Sequence, residues 1–221
     1  MRRPRFSSII NYDKDFYWLE NNKEIIVSST ALSKTTDLAQ LGETSRKLYC
    51  EKVIYLYFLM VFSSPYIFPK MNSSSFYLDK QKKQLHWYPG NFKLKLKNKS
   101  QMQLANVYKS LYIDSKTTDL DVGGFFWNKP KDKDVFDRLV RLHMRSHFSG
   151  PIDFSFQGEI LNTCRTISFL TINRLIPSLD LFKFTRLLIN IHLILMKSGV
   201  SINFKPIAQK AFSMSQKKIM S

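Results

Sequence analysis

The side chains best suited to chemistry in this sequence are cations that repeat at regular spacing. From residue 92 to residue 99, every second residue is a lysine. Alternate residues of a strand lie on one face, so such a row can contact successive phosphates of a polyanion. A solvated surface strand is the alternative interpretation, and the charge of the whole chain favours phosphate contacts. The row consists of Lys93, Lys95, Lys97 and Lys99.

A second group of cations lies between residues 129 and 147. It opens with a charged turn, after which arginines and histidines stand between apolar and aromatic residues. Arginine and aromatic side chains stack on bases, and arginine also pairs with phosphate, so the pattern is typical of RNA binding. We expect an extended arm that contacts RNA, with Arg174 nearer its globular base. The predicted contacts on the arm are Lys129, Lys131, Lys133, Arg138, Arg141, His143, Arg145 and His147, and Trp127 or Phe148 could stack on an unpaired base.

No catalytic or metal-binding motif rises above chance. His143 and His147 have no third ligand nearby in the sequence. Cys50 and Cys164 lack the spacing of metal ligands. The glycine pair at 123–124 lacks the lysine of a phosphate-binding loop. We therefore predict that the protein is not an enzyme and uses no cofactor, metal or small-molecule substrate.

The charge balance points to a polyanionic partner. Lysine and arginine number 34 against 17 acidic residues, which gives the 221-residue chain a formal charge of +17. Such an excess repels itself in a compact monomer unless an anion neutralises it. The cations are spread along the whole chain and do not cluster beside an apolar segment, which favours nucleic acid over an anionic membrane. Glycine is scarce and phenylalanine abundant, a bias associated with the AT-rich coding of many organelle genomes.

Two segments must position these cations, and each has a strand–helix–strand pattern. In the first, an alternating strand at residues 92–97 precedes a helix capped by Ser100, and a turn at residues 122–127 enters another strand. The second covers residues 168–204 and contains a strand of branched residues, a helix from Ser178 to Lys197, and an alternating strand. Two such units predict an α+β fold, specifically a ferredoxin-like split βαβ two-layer sandwich.

The most apolar run extends from Val53 to Phe68. A membrane span needs about 20 apolar residues, but Ser63-Ser64-Pro65 interrupts this run after ten. We predict a buried or protein-contacting helix that does not cross a bilayer. A Trp-Tyr-Pro-Gly turn then marks a domain boundary. The predicted divisions are a partly helical N-terminal extension at 1–90 that contacts protein or RNA, an α/β domain at 91–206, and a basic C-terminal tail at 207–221.

From Phe92 onward, the order of these pieces resembles the bacterial-type small-subunit ribosomal protein ten family. That family has a lysine-bearing first strand, a helix, a Gly-Pro-Ile-Pro-Leu-Pro turn into a long extended hairpin, a strand with Arg-Ser-Pro-His, a strand that ends in Arg-Leu-Ile, and Gly-Val before a last strand. Most prolines of the family's turn are absent here, and an added piece at 149–161 lengthens the hairpin. The matching segments are Phe92–Lys97, Val122–Pro130, Arg145–His147 or Arg141–His143, Ile167–Ile176, and Lys197–Phe204.

The resemblance implies a structural constituent of the ribosome without enzymatic activity. Such a protein binds ribosomal RNA in the head of the small subunit and touches neighbouring ribosomal proteins through its basic hairpin. Residues 1–90 have no counterpart in the family, and this divergence, with the coding bias, predicts an organelle-encoded form that serves translation in the mitochondrial matrix. The alternative is a basic accessory subunit of an organelle membrane complex, anchored by residues 53–68, which the break in that run disfavours.

Overall fold

A computed structural model of the chain describes residues 8–11, 15–19, 22–64, 66–116, 120–128, 130, 134–143 and 156–219. Within these residues the fold is mixed α+β, as the sequence predicts. The strands are β1 (Ser8–Ile9), β2 (Ile25–Val27), β3 (Tyr66–Ile67), β4 (Phe76–Asp79), β5 (Gln84–Trp87) and β6 (Phe92–Lys95). The helices are α1 (Glu43–Ser63), α2 (Asn98–Tyr112), α3 (Val135–His143), α4 (Phe156–Ile172), α5 (Leu179–Ser198) and α6 (Phe204–Ile219).

The strands form two small sheets. In one, β6 lies between β1 and β3 and is antiparallel to both, with Phe92 opposite Ile9 and Lys95 opposite Tyr66. In the other, β5 is central, parallel to β2 and antiparallel to β4. Because β1 and β2 precede α1 and their partners follow it, each sheet ties the two sides of this helix together.

Helix α1 lies at the centre of the hydrophobic core. Every residue from Val53 to Val61 is buried, and so is Phe68 beyond the end of the helix. A helix that is apolar all round must be enclosed by other elements, which explains why the most apolar run of the sequence occupies this position. Ser64 is already extended, as expected of a residue that precedes proline in the sequence. None of the helices that the structure describes is long and apolar enough to cross a membrane.

Helix α6 packs against α1 and closes the core on one side. Its Ala208 and Ala211 are fully buried, and two aromatic pairs, Phe58–Phe204 and Phe62–Phe212, join the helices edge to face. Small alanines at the contact allow the two helices to approach closely. Residues 207–219, which the sequence predicts as a basic C-terminal tail, lie in this helix, while the division of the chain at residue 207 stays a prediction.

The second predicted strand–helix–strand unit is confirmed only in its helix. Helix α5 begins after Ser178 and ends at Gly199, whose φ of +60° is the left-handed conformation that favours glycine. Both flanking strands are wrong. Residues 168–172 lie in α4, and of the predicted strand at 200–204, Phe204 begins α6. Branched and aromatic residues favour strands only weakly, so tertiary packing overrides that preference here.

The first unit is confirmed in β6 and α2, although α2 begins at Asn98 and Ser100 lies within its first turn. The strand predicted after the glycine pair is instead a 3₁₀ turn at Gly123–Phe125, followed by a single bridge between Phe126 and Pro177. The extended hairpin is wrong over residues 135–143, which form α3. There Val135, Leu139 and Val140 face inward at helical spacing. The remainder of the predicted arm, at 129, 131–133 and 144–155, lies outside the described residues.

The buried side chains form one cluster that runs from Ile10 to Ala211. It crosses residue 90, and β6 itself pairs with two strands from the predicted N-terminal extension. The division of the chain near residue 90 thus stays a prediction from composition, while the packing of the described residues continues across it.

Candidate nucleic-acid interface

The loop at residues 120–128 is fixed between the N-terminal ends of α2 and α5. At its centre, the Gly124 N–H donates to Gln103 Oε1 (2.5 Å), and its carbonyl accepts from Ser100 Oγ (3.0 Å) and Ser178 Oγ (3.4 Å). A Cβ atom at this position would lie 2.7 Å from Gln103 Oε1 and 3.0 Å from the Ser100 backbone. Only glycine allows the loop to approach α2 this closely, which places Trp127 at the surface beside the start of α2.

Asp180 locks the same two helix ends together. The carboxylate is buried and accepts from the Lys97 backbone N–H (2.9 Å), Ser100 Oγ (2.8 Å) and Lys183 Nζ (3.0 Å). Burial raises the pKa of Asp180, but the hydrogen bonds from Lys97, Lys183 and Ser100 outweigh it and hold the pKa below its ordinary value. The carboxylate therefore stays ionised at neutral pH and caps α2 from another element.

A second link fixes the loop to the turn between α4 and α5. The backbone N–H of Trp127 donates to the Ile176 carbonyl (2.8 Å). The Asn128 side chain donates to the Arg174 carbonyl (2.7 Å) and accepts from the Ile176 N–H (2.7 Å). Arg174 itself adopts a left-handed φ of +51° and presents its side chain to solvent. The main chains of Trp127 and Arg174 are thus held at one site.

These links create an exposed basic and aromatic surface, which we call the basic corner. The Trp127 side chain is 63% exposed, and the Lys97 ammonium lies 4.8 Å from the centre of its ring. Lys95 and Lys99, on either side of Lys97 in the sequence, are also exposed. The basic corner comprises Lys95, Lys97, Lys99, Trp127 and Arg174.

Lys93 does not belong to this surface, so the prediction that all four lysines form one row is wrong. This residue is 7% exposed; its ammonium pairs with Asp15 (2.5 Å) and lies 4.2 Å from the centre of the Tyr66 ring. A buried ammonium requires such a carboxylate partner. The alternating pattern predicts that Phe92 faces the core, but Phe92 is exposed.

The other predicted contacts fall partly within the described residues. Arg138 and Arg141 lie on the outer face of α3 and are exposed. Phe136 of this helix stacks on Phe126 at 5.6 Å between ring centres, so α3 adjoins the loop that carries Trp127. His143 is the last residue of α3. Lys129, Lys131, Lys133, Arg145 and His147 lie outside the described residues.

Sequence reasoning missed Asn128, Asp180 and Lys183, all of which shape the basic corner. The Lys183 ammonium bridges the Asp180 carboxylate and the Lys95 carbonyl (2.8 Å), and so braces the end of β6. These contacts join residues far apart in the chain, 46 positions for Asn128 and Arg174 and 83 for Asp180 and Lys97. No local pattern carries that information.

A separate groove of about 410 Å³ lies between the segment before β2, α1 and α6, and Glu24, Tyr55 and Lys210 are among the residues that line it. Glu24 pairs with both Lys52 and Lys210. Burial raises the pKa of Glu24, but these two ammonium groups outweigh it and keep the carboxylate ionised. The carboxylate of Glu24 is thus already paired with these two ammonium groups. Elsewhere in the described residues, no group of three His, Cys, Asp or Glu side chains is placed to hold a metal ion.

No protein-family model matches this chain, and no curated protein matches it. The geometry of the basic corner and the charge of the chain therefore carry the functional argument.

Proposed function

We propose that this chain is a structural RNA-binding protein, and specifically a constituent of the small subunit of a mitochondrial ribosome. The observation that carries the proposal is the exposed Trp127 held beside Lys97 in a chain of charge +17. An exposed tryptophan offers a base a large flat surface, and each such stacking contact contributes about 1–3 kcal/mol. Lysines around it supply the phosphate contacts.

The basic corner suits an unpaired stretch of RNA. Its cations lie at the end of β6, at the start of α2 and on the turn before α5, and one of them, Lys97, lies over the indole ring. Backbone phosphates would contact Lys95, Lys97 and Lys99, while a base stacks on Trp127. Arg174 would pair with a neighbouring phosphate through its guanidinium.

Two features support the ribosomal part of the proposal: the positive charge of the chain, and the lysine-bearing strand followed by a helix, which is also found in the ribosomal protein ten family that the sequence resembles. The ferredoxin-like sandwich contributes less, because segments predicted as its strands are helical. The site in the head of the small subunit, the contacts with neighbouring ribosomal proteins and the mitochondrial matrix location belong to this proposal. The alternative, a membrane-complex subunit anchored by residues 53–68, draws no support from a segment buried in the core.

Sedimentation of an organelle lysate tests this function. We expect the protein to migrate in a sucrose gradient with small-subunit ribosomal RNA, and to move to lighter fractions after ribonuclease treatment or magnesium chelation. Quantitative mass spectrometry of the fractions provides the measurement. Migration that ribonuclease leaves unchanged, or retention in the membrane pellet after carbonate extraction, would contradict the proposal.

A further inference from the structure

Helix α5 carries apolar side chains on two faces. Its inner face contributes Phe184, Leu187, Ile191 and Leu195 to the core. A second set of large apolar side chains on the same helix is between 45% and 62% exposed: Leu179, Phe182, Ile189 and Leu193. We call this set the outer stripe. A helix at a protein surface normally has one apolar face, so the outer stripe is surface suited to burial by a partner.

The outer stripe has the spacing of a helix-pairing seam. Steps of three and four residues lead from Leu179 through Phe182 and position 186 to Ile189 and Leu193. At 1.5 Å per residue the stripe is about 21 Å long, which matches a partner helix of about four turns. One helix laid along α5 can therefore cover all of it.

Arg186 occupies the single polar position of the stripe. It is exposed, and no carboxylate of the described residues pairs with it. The only acidic residue of α5, Asp180, is buried and bound to Lys183, while Lys197 is exposed in the last turn. The exposed charge of this helix is thus positive, and it selects a partner with carboxylates.

A second copy of the chain is a poor occupant of the stripe. Arg186 lies seven residues from Leu179 and seven from Leu193, at the centre of the seam. Two stripes paired in register, parallel or antiparallel, would bring two guanidinium groups together at this centre, and each copy carries a charge of +17. Like charges opposed across such a seam disfavour self-pairing.

We propose that the outer stripe of α5 is a docking surface for an amphipathic helix of an acidic partner protein. The partner lays its own apolar seam along the stripe and presents a glutamate or aspartate to Arg186.

The test measures binding of a fluorescent four-turn peptide to the full chain by anisotropy at physiological ionic strength. The peptide has a leucine seam, glutamates on its flanks and one glutamate placed opposite Arg186. We expect it to bind at least about tenfold more tightly than a scrambled peptide of the same composition. Because the two peptides carry the same charge, general attraction to a basic protein cannot produce this difference.

Variants of the chain locate the binding site. Phe182→Ser and Ile189→Ser should each weaken binding by about tenfold or more, as truncation of a central anchor does. Ile167→Ser and Met102→Ser are matched controls, since they remove exposed apolar side chains from α4 and α2, and they should leave the affinity unchanged. Arg186→Glu should reverse the preference toward a peptide with lysine in place of glutamate. All five positions are exposed, so thermal melting by circular dichroism should show an unchanged fold.

Three results would overturn the proposal: no binding of the seam peptide, equal binding of the scrambled peptide, or equal binding by the stripe variants and their controls. Sedimentation velocity provides a further test. A concentration-dependent dimer of the chain that Phe182→Ser abolishes would assign the stripe to a second copy instead.

Discussion

Asp180 is the residue on which the shape of the basic corner depends most. Asp180 lies in the first turn of α5. Its buried carboxylate accepts hydrogen bonds from the backbone N–H of Lys97, just before α2, and from the hydroxyl of Ser100 in the first turn of α2. A carboxylate at a helix N-terminus also interacts favourably with the helix dipole. The position of Lys97, and with it the cation beside Trp127, follows from this one acidic side chain.

Replacing Asp180 with asparagine keeps the shape and removes the charge. Because charge-assisted hydrogen bonds are lost in a buried setting, we expect the free energy of unfolding to fall by about 1–3 kcal/mol. The control is Asp114→Asn, since Asp114 forms only a surface pair with Lys109 at 3.6 Å and should contribute about 0–1 kcal/mol. Urea titration at neutral pH measures both. Equal losses in the two variants would contradict the role of Asp180.

The pH dependence of this difference has a defined sign. The folded-state pKa of Asp180 is lowered, so its contribution is complete above the unfolded pKa of about 3.9 and is lost as the pH falls through the folded value. The stability gap between the wild-type chain and Asp180→Asn should therefore be constant near neutral pH and narrow below about pH 4. If the stability gap between the two proteins widened on acidification, the folded-state pKa of Asp180 would be raised, which would contradict this account.

Gly124 sets the close approach of the Trp127 loop to α2. Alanine at this position would place a carbon against both a side chain and the Ser100 backbone, and we expect a loss of about 1–3 kcal/mol from overpacking. Gly42→Ala is the matched control because the added carbon would meet nothing within 4 Å. Thermal unfolding compares the two. Similar melting temperatures for both variants would mean that the loop tolerates displacement.

At the scale of elements, the contact between α1 and α6 holds the C-terminal helix in the core. Ala208→Leu would add bulk at a fully buried contact, and overpacking of this kind costs about 1–3 kcal/mol. Gln209→Leu introduces the same leucine side chain at the neighbouring exposed position, where it does not enter the core, and should change stability little. Urea unfolding distinguishes them. If Ala208→Leu had no larger effect than its control, α6 would not be an integral part of the core.

Elements with local signals could be predicted from the sequence, and those decided by distant contacts could not. Helix α5 is predicted by its apolar periodicity and by Gly199 after its last turn. Helix α1 follows from an apolar run without a polar face. Residues 168–172 and 204 were expected in strands because branched and aromatic side chains favour them, yet the same residues pack in helices. For α3 the helical spacing of Val135, Leu139 and Val140 was present, but the basic residues between them drew the interpretation toward an extended arm.

The candidate site shows the same limit. Lys95, Lys97 and Lys99 are exposed, as the sequence predicts, although only Lys95 lies in a strand, while Lys97 precedes α2 and Lys99 lies in its first turn. The burial of Lys93 depends on Asp15, 78 positions earlier in the chain. Similarly, the pairing of Lys97 with Trp127 results from Gly124 and Asp180, neither of which has a recognisable motif around it. The residue types suited to RNA binding could be predicted from local sequence, whereas their arrangement in space depends on contacts between distant parts of the chain.

At the scale of the whole molecule, the core joins segments from both sides of residue 90. Separated from residues 1–90, the fragment 91–221 would lose α1 and both strands that pair with β6. We expect it to lack a cooperative thermal transition, and to regain one when residues 1–90 are supplied as a second fragment. Circular dichroism and amide hydrogen exchange measure this. A cooperative transition in fragment 91–221 alone would support an independent domain there.

The central claim is that the basic corner binds RNA, and a salt titration of single-stranded RNA binding tests it most directly. Lys97→Gln should lower the slope of log affinity against log salt by about 1, because one phosphate contact is lost. Trp127→Leu should weaken binding by about tenfold at every salt concentration with little change in slope, since stacking releases no counterion, and Trp127→Phe should retain most of the affinity. Lys47→Gln removes the same charge from an exposed site on α1 and is the control. If Lys97→Gln matches Lys47→Gln and Trp127→Leu binds like the wild-type chain, the RNA does not bind at the basic corner.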